Sequence, residues 1–364
     1  MSIPLVDVKA QYAPLIEELY ACMLDVIESG KFILGPNVAA FECEVGDYLG
    51  VAETVGVANG TDALVLALEA VGVGPGDDVI CPAFTFYATA EAIVRVGATP
   101  IFCDIDPVSF NLDPLHVAEL VTERTKAIVA VHLFGRPADI NSLPPGIPVI
   151  EDTAQAFGAS IYGQRVGSIG AAATFSFFPT KNLFCFGDGG LVATSDVDLA
   201  DRVRMLRFHG SRDKSTFELI GFNSRLDELQ AAVLRIFLKR IDEWNTKRRE
   251  AAQRYRDLGL SEYCELPVDD LGHVYHMYVV RSAQRNVIAE KLLTKGIAGR
   301  PYYMTPLHLQ PVFASLGLGP GSLPETERAA SENLALPMWA GISANQQEEV
   351  VKVVASALEG STAS

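Results

Sequence analysis

Between residues 55 and 151 the chain alternates short apolar runs with helical stretches, a rhythm that few folds accommodate. Strands are predicted at Val55–Ala58, Asp78–Cys81, Thr99–Cys103, Ala127–His132 and Pro148–Glu151. Helices are predicted between them at Thr61–Ala70, Thr85–Val96 and Pro114–Val121. Unbroken apolar strands joined by helical crossovers imply a mostly parallel sheet with helices on both faces. The Pro-rich segment 136–146 reduces one crossover to a loop. Ahead of this region the apolar spacing predicts helices over 10–29, stopping at Gly30, and over 37–48.

The 364 residues, 49% hydrophobic and 20% charged, describe an ordinary soluble protein, long enough for a large domain and a smaller one. A net charge of −16 argues against nucleic acid or an anionic membrane as partner, because phosphate surfaces are bound by basic patches. The N-terminus has no basic start followed by an apolar core, and no apolar run approaches the ~20 residues that span a bilayer. The six cysteines form no CxxC pair, which reads as reduced packing residues of a cytoplasmic protein. Asp227–Glu250 is predicted as one long amphipathic helix leading into a second lobe of strand-like (His276–Val280) and helical (Val287–Lys295, Asn345–Leu358) pieces. The boundary is placed near residue 245, with a large domain over 1–245 and a small α+β domain over 246–364. A short polar tail, 361–364, closes the chain.

Within the large domain, Ala173–Ala193 reads as an apolar strand, a break at Pro179, the single lysine Lys181, a Gly187-Asp188-Gly189-Gly190 turn and a second apolar run. A lysine flanked by Phe177, Phe178, Leu183, Phe184 and Phe186 is costly to keep charged. Desolvation lowers its pKa, which suits an amine that attacks a carbonyl. A surface lysine with its stem over aromatics fits the same window. Asn59-Gly60-Thr61-Asp62-Ala63 lies between a strand and a helix, where Gly60 permits close backbone approach and Thr61 adds a hydroxyl for a phosphate. A simple helix cap is the alternative. Asp152 ends a predicted strand, where a buried carboxylate needs a cation such as the protonated ring nitrogen of pyridoxal phosphate. An ordinary helix cap by Asp152 is the simpler reading of this segment by itself. Gln155 lies one turn further on. Phe84-Thr85-Phe86-Tyr87 offers an aromatic to cover a flat ring, or else belongs to the core. His132, His209 and His308 make no metal pattern, and neither a GxGxxG opening a helix nor a P-loop is present.

Read in order, these blocks resemble the DegT/DnrJ/EryC1/StrS sugar aminotransferases, pyridoxal-phosphate enzymes of the aspartate aminotransferase fold. The resemblance runs through Ser29–Pro36, Asn59–Leu64, Pro82–Phe86, Glu151–Ala156, Ser176–Leu183, Gly187–Gly190 and Gly221–Ala232. It implies an α/β large domain with a seven-stranded, mostly parallel sheet and a smaller C-terminal domain. Lys181 is implied as the residue that bonds to the cofactor and moves the proton, with Asp152 on the ring nitrogen, Gln155 beside the ring hydroxyl and Phe86 stacked on the ring. Gly60, Thr61, Asp62 and Ser176 match the phosphate cradle. Asn223 matches the residue that reaches the phosphate of a neighbouring subunit, so a homodimer is implied.

Arg225 matches an anion contact, while Tyr302, Tyr303 and His308 fall where this family often meets the sugar nucleotide. The Gly-Asp-Gly-Gly turn, Phe208–Ser211 and Asn223–Asp227 look most like members that aminate C3 of a nucleotide-linked keto sugar, such as a dTDP-3-keto-6-deoxyhexose, with L-glutamate as donor. Members acting on C4 more often carry glutamate where Asp188 stands. A C4 aminotransferase, a UDP-sugar enzyme, an inosose aminotransferase and a non-catalytic pyridoxal-phosphate sensor are the alternatives.

Overall fold

The computed structural model describes residues 2–270 and 272–359, so the tail 361–364 lies outside it. Helices α1 (Val8–Tyr12), α2 (Ile16–Ser29) and α3 (Pro36–Leu49) precede the first strand. The helix expected over 10–29 is interrupted by a 3-10 turn at Ala13–Leu15, where Pro14 has no N–H to give. Gly30 ends α2 in the left-handed region, at φ 65°.

The alternation then follows as β1 (Glu53–Val57), α4 (Gly60–Ala70), β2 (Asp78–Pro82), α5 (Ala88–Arg95), β3 (Thr99–Cys103), α6 (Pro114–Leu120), β4 (Thr125–Val131) and β5 (Val149–Asp152). A two-stranded ribbon, β6 (Ser160–Ile161) and β7 (Gln164–Arg165), precedes β8 (Ala172–Ser176) and β9 (Gly190–Thr194). The sheet runs β1-β9-β8-β5-β4-β2-β3. β9 is antiparallel to both its neighbours, and the other pairings are parallel. A short loop carrying Lys181 returns the chain from β8 to β9, and without a crossover only antiparallel pairing is open.

Both sheet faces are covered. Val192 joins Leu66, Leu68, Ile93 and Val203 in one core, while its neighbours Leu191 and Ala193 join Phe41, Leu234 and Phe237 in the other. Alternate strand residues feed alternate cores. The carboxyl ends of β1, β5 and β8 and the start of β9 therefore share one edge of the sheet.

Beyond β9 come α7 (Val197–Leu206), α8 (Glu228–Leu238) and α9 (Ile241–Asp257). The single helix expected over 227–250 is thus two helices. The break falls at the exposed pair Lys239–Arg240, and on its inner side Phe184 packs on both Phe237 (4.7 Å between ring centroids) and Trp244 (6.1 Å). The remaining elements are β10 (Tyr278–Arg281), α10 (Arg285–Thr294), α11 (Pro324–Glu332), β11 (Asn333–Leu336) and α12 (Ala344–Glu359). β10 and β11 pair antiparallel over a third core that includes Tyr255, Leu292, Trp339 and Val350. Among the described residues no helix is long and apolar enough to cross a membrane, and no cluster of side chains fits a metal ion.

Candidate active site

Three backbones converge where β1 hands over to α4. A Cβ on Gly60 would lie 2.6 Å from the Ser176 Cβ, and one on Gly190 would lie 2.3 Å from the Asn59 carbonyl oxygen. Glycine is therefore required at both positions. Asn59 caps α4 by accepting the Asp62 N–H at 2.8 Å. The N–H groups of Gly60 and Thr61 stay unengaged by the described residues, beside the hydroxyls of Thr61 and Ser176. That is the donor set a helix N-terminus offers a phosphate. The Asp62 carboxylate belongs to another partner: it accepts the Ser224 hydroxyl at 2.7 Å, and the same hydroxyl accepts the Ala58 N–H at 3.1 Å.

Lys181 follows β8, its own N–H donating to the Phe178 carbonyl at 2.8 Å. The aromatics beside it in sequence divide: Phe177 and Phe184 are buried, whereas Phe178 and Phe186 are exposed. Desolvation nonetheless brings the Lys181 amine down to about 8, with the Asp152 carboxylate opposing the drop. Asp152, at the end of β5, is buried and accepts the Thr89 hydroxyl at 2.9 Å and the Ala154 N–H at 3.2 Å. Burial raises its carboxyl pKa, while those two donors and the Lys181 charge hold it down.

Gln155 turns away from Asp152 to bridge the Phe134 N–H (2.8 Å) and the Tyr303 hydroxyl (3.0 Å). Phe86 is 57% exposed, its ring 6.2 Å from that of Tyr303. Next to Lys181, Asn182 bonds Asn245 and the Val274 carbonyl. His276 is kept neutral by burial and by the nearby Lys181 charge.

The other expected residues are spread more widely. Tyr302 donates its N–H to Asn333 and stands edge-on to Tyr303. Asn223 and Arg225 hydrogen-bond each other at the surface. The His308 ring is buried, with Nε2 3.2 Å from Glu327, whose carboxylate also accepts the Gly321 N–H. Thr89, Ser224 and His276 went unrecognised in the sequence. Thr89 alone had a local signal, standing four residues after Thr85 at the start of a helix, where the two hydroxyls meet at 3.2 Å.

Together these groups suit a flat ring with a protonated nitrogen and a phosphate. Asp152 is a buried carboxylate with no arginine or histidine among the described residues bonded to it. The Gly60–Ser176 contact leaves backbone amides open, and Phe86 presents an uncovered aromatic face.

Comparison with known proteins agrees. The chain is 46% identical over 365 residues to a Geobacillus stearothermophilus protein named pleiotropic regulatory protein, covering 98% of each. It is 42% identical to the dTDP-3-amino-3,4,6-trideoxy-alpha-D-glucose transaminase of Streptomyces venezuelae, over 97% of this chain and 95% of that one. Among solved structures, S. venezuelae DesV in complex with a ketimine intermediate superposes with a TM-score of 0.94 at 42% identity, covering 98% of both chains. NtdA from Bacillus subtilis with bound cofactor PMP superposes with a TM-score of 0.88 at 32% identity, over 94% of this chain and 82% of that one. Residues 15–355 match the DegT/DnrJ/EryC1/StrS aminotransferase family, and the chain belongs to it.

Proposed function

We propose that this aminotransferase carries an amino group from L-glutamate to C3 of a nucleotide-linked keto sugar, a dTDP-3-keto-6-deoxyhexose, using pyridoxal 5′-phosphate. The observation that carries the reading is the lysine amine brought down to about 8 beside a buried carboxylate. When bound, the cofactor supplies the electron sink that lets a proton leave the carbon bearing nitrogen. Lys181 Nζ takes that proton and returns it, a task suited to an amine whose pKa lies near the working pH. Asp152, ionised against a cation, keeps the ring nitrogen protonated. Gly60, Thr61 and Ser176 receive the phosphate through N–H and hydroxyl donors, with Asp62 shaping the turn. Phe86 covers the ring, and Gln155 orients its hydroxyl edge.

Asn223 and Arg225 serve a second subunit in this reading, Asn223 at the phosphate and Arg225 at a substrate anion. A homodimer is supported by exposed apolar side chains that recur at helical spacing on α2 (Tyr20, Leu24, Ile27) and continue through Phe32, Ile33 and Leu34. Tyr302 and Tyr303 face the sugar. We assign the enclosed His308 to holding the 305–323 loop through Glu327. Residues 1–245 form the cofactor lobe and 246–364 the smaller lobe, in a cytoplasmic enzyme.

The C3 preference is supported by the S. venezuelae relative, whose name specifies a 3-amino sugar. Turnover with L-glutamate against 3-keto and 4-keto dTDP-sugars tests it, and activity on the 4-keto sugar alone would sink it. A second reading, a sensor that binds the cofactor without turnover, is favoured by the name of the Geobacillus relative. A bound-cofactor absorbance band that shifts when L-glutamate is added excludes the sensor; a band that ignores glutamate supports it.

A further inference from the structure

Residues 223–226 form an extended stretch whose side chains alternate. Ser224 and Leu226 are each 1% exposed, whereas Asn223 is exposed and Arg225 half-buried. Extended backbone sends neighbouring side chains to opposite sides. The stretch is fixed along its length: Asn223 bridges antiparallel to Phe208, and the Ser224 N–H donates to the Arg207 carbonyl at 3.1 Å.

On the inner side, the Ser224 hydroxyl accepts from the Ala58 N–H and donates to Asp62. Ala58 and Asp62 bracket the Asn59–Thr61 turn, so one hydroxyl clamps both ends of the phosphate cradle. A serine has a single proton to donate, and here it goes to the one carboxylate in the first turn of α4. Without that proton the Asp62 carboxylate is drawn to the free N–H groups of Gly60 and Thr61, the donors that a phosphate needs. On the outer side, Asn223 and Arg225 are bonded to each other, and the guanidinium lies 5.7 Å from the Phe208 ring centroid. The same few residues thus brace the chain's own cradle and hold an amide and a guanidinium outward.

We propose that Ser224 is a positioning residue that joins the two cofactor sites of the dimer, so that filling a cradle and holding the partner subunit strengthen each other. This rests on the shared-site reading above, in which Asn223 completes the site of the partner subunit. Order imposed on the 58–62 turn by a bound phosphate passes through the Ser224 hydroxyl to its neighbour Asn223. Linkage then requires the reverse effect: dimer formation tightens cofactor binding by the same factor.

The test is the dimer dissociation constant of the full chain, measured by sedimentation with and without pyridoxal 5′-phosphate, for the wild type and Ser224→Ala. The wild-type dimer is expected to tighten by about tenfold or more when the cofactor is added, within the range of known couplings. Ser224→Ala is expected to bring that factor down to about threefold or less. Asp62→Ala cuts the same bond from the helix side and serves if Ser224→Ala does not fold. A Ser224→Ala dimer that tightens as much as the wild type overturns the joint, as does a wild-type dimer indifferent to the cofactor. The first result leaves the shared site standing; the second overturns it as well, because a partner residue on the phosphate requires cofactor and dimer to favour each other. A wild type that stays monomeric, or that never binds pyridoxal phosphate, overturns the shared-site reading and the joint together.

Discussion

Gln155 donates through Nε2 to the Tyr303 hydroxyl at 3.0 Å while its Oε1 accepts the Phe134 N–H at 2.8 Å. One amide thereby ties the turn after β5 to the loop after β4 and to a segment 148 residues further along the chain. The Tyr303 hydroxyl accepts this bond, so its own proton remains available to a substrate oxygen. Burial pushes that hydroxyl above the usual phenol range, and the Gln155 bond works against the rise.

Tyr303→Phe keeps the ring beside Phe84 and Phe86 and removes only the hydroxyl, with its acceptor oxygen and its proton. Losing one such hydrogen bond is expected to lower unfolding free energy by about 1 kcal/mol, read from urea denaturation. The freed Gln155 amide loses its orientation, so the absorbance maximum of the bound cofactor is expected to move. An unmoved maximum would detach Gln155 from the ring.

Asp152 invites a pH experiment. Burial raises its carboxyl pKa, and the Thr89 hydroxyl is the first of the groups that hold it down. Thr89→Val, close in shape, removes that donor, so the carboxyl needs a higher pH to ionise. The acid limb of the kcat/KM profile is expected to move to higher pH, because the working form is the carboxylate. Asp152→Asn, which has no charge at any pH, is expected to cost about a hundredfold or more in turnover across the profile, on the scale of acid–base effects.

Lys181 makes the opposite demand on stability. Its pKa falls from 10.5 in the unfolded chain to about 8 in the fold, so between those values the unfolded state holds more protons. Stability therefore rises with pH through that window, and below pH 8 the desolvated ammonium destabilises the cofactor-free protein by about 3 kcal/mol. Cofactor-free Lys181→Met is expected to be more stable than the wild type at pH 7. That advantage should shrink between pH 8 and 10.5 when urea midpoints are compared. An equal advantage at both ends would mean that the lysine is not desolvated.

What the sequence made legible is what short stretches encode. The βα rhythm was readable because each strand is a local apolar run, and Lys181, Asp152 and Gly60 stood out because their residue types clash with such surroundings. Thr89 and Ser224 were not, since their carboxylate partners lie 63 and 162 positions away. The break at Lys239–Arg240 has no glycine or proline to announce it; it reflects the packing of Phe184, more than fifty residues earlier, against both helices. His308 carried a sugar-contact expectation on chain position alone, and its bond to Glu327 is likewise a product of the folded chain.

Gly60 and Ser176 test the cradle from two sides. A Cβ at position 60 would sit 2.6 Å from the Ser176 Cβ, a contact that real side chains do not make. The first turn of α4 and the end of β8 must then separate, and overpacking of this kind costs about 1–3 kcal/mol. Gly60→Ala is expected to lose that much stability and most of its affinity for pyridoxal phosphate, followed by absorbance titration. Ser176→Gly removes the opposing Cβ together with the hydroxyl. The double variant is therefore expected to recover stability and only part of the affinity, since the amides return to place but one phosphate donor is gone. Contacting residues give such non-additive cycles. Simple additivity of the two losses would mean that Gly60 and Ser176 do not form one cradle.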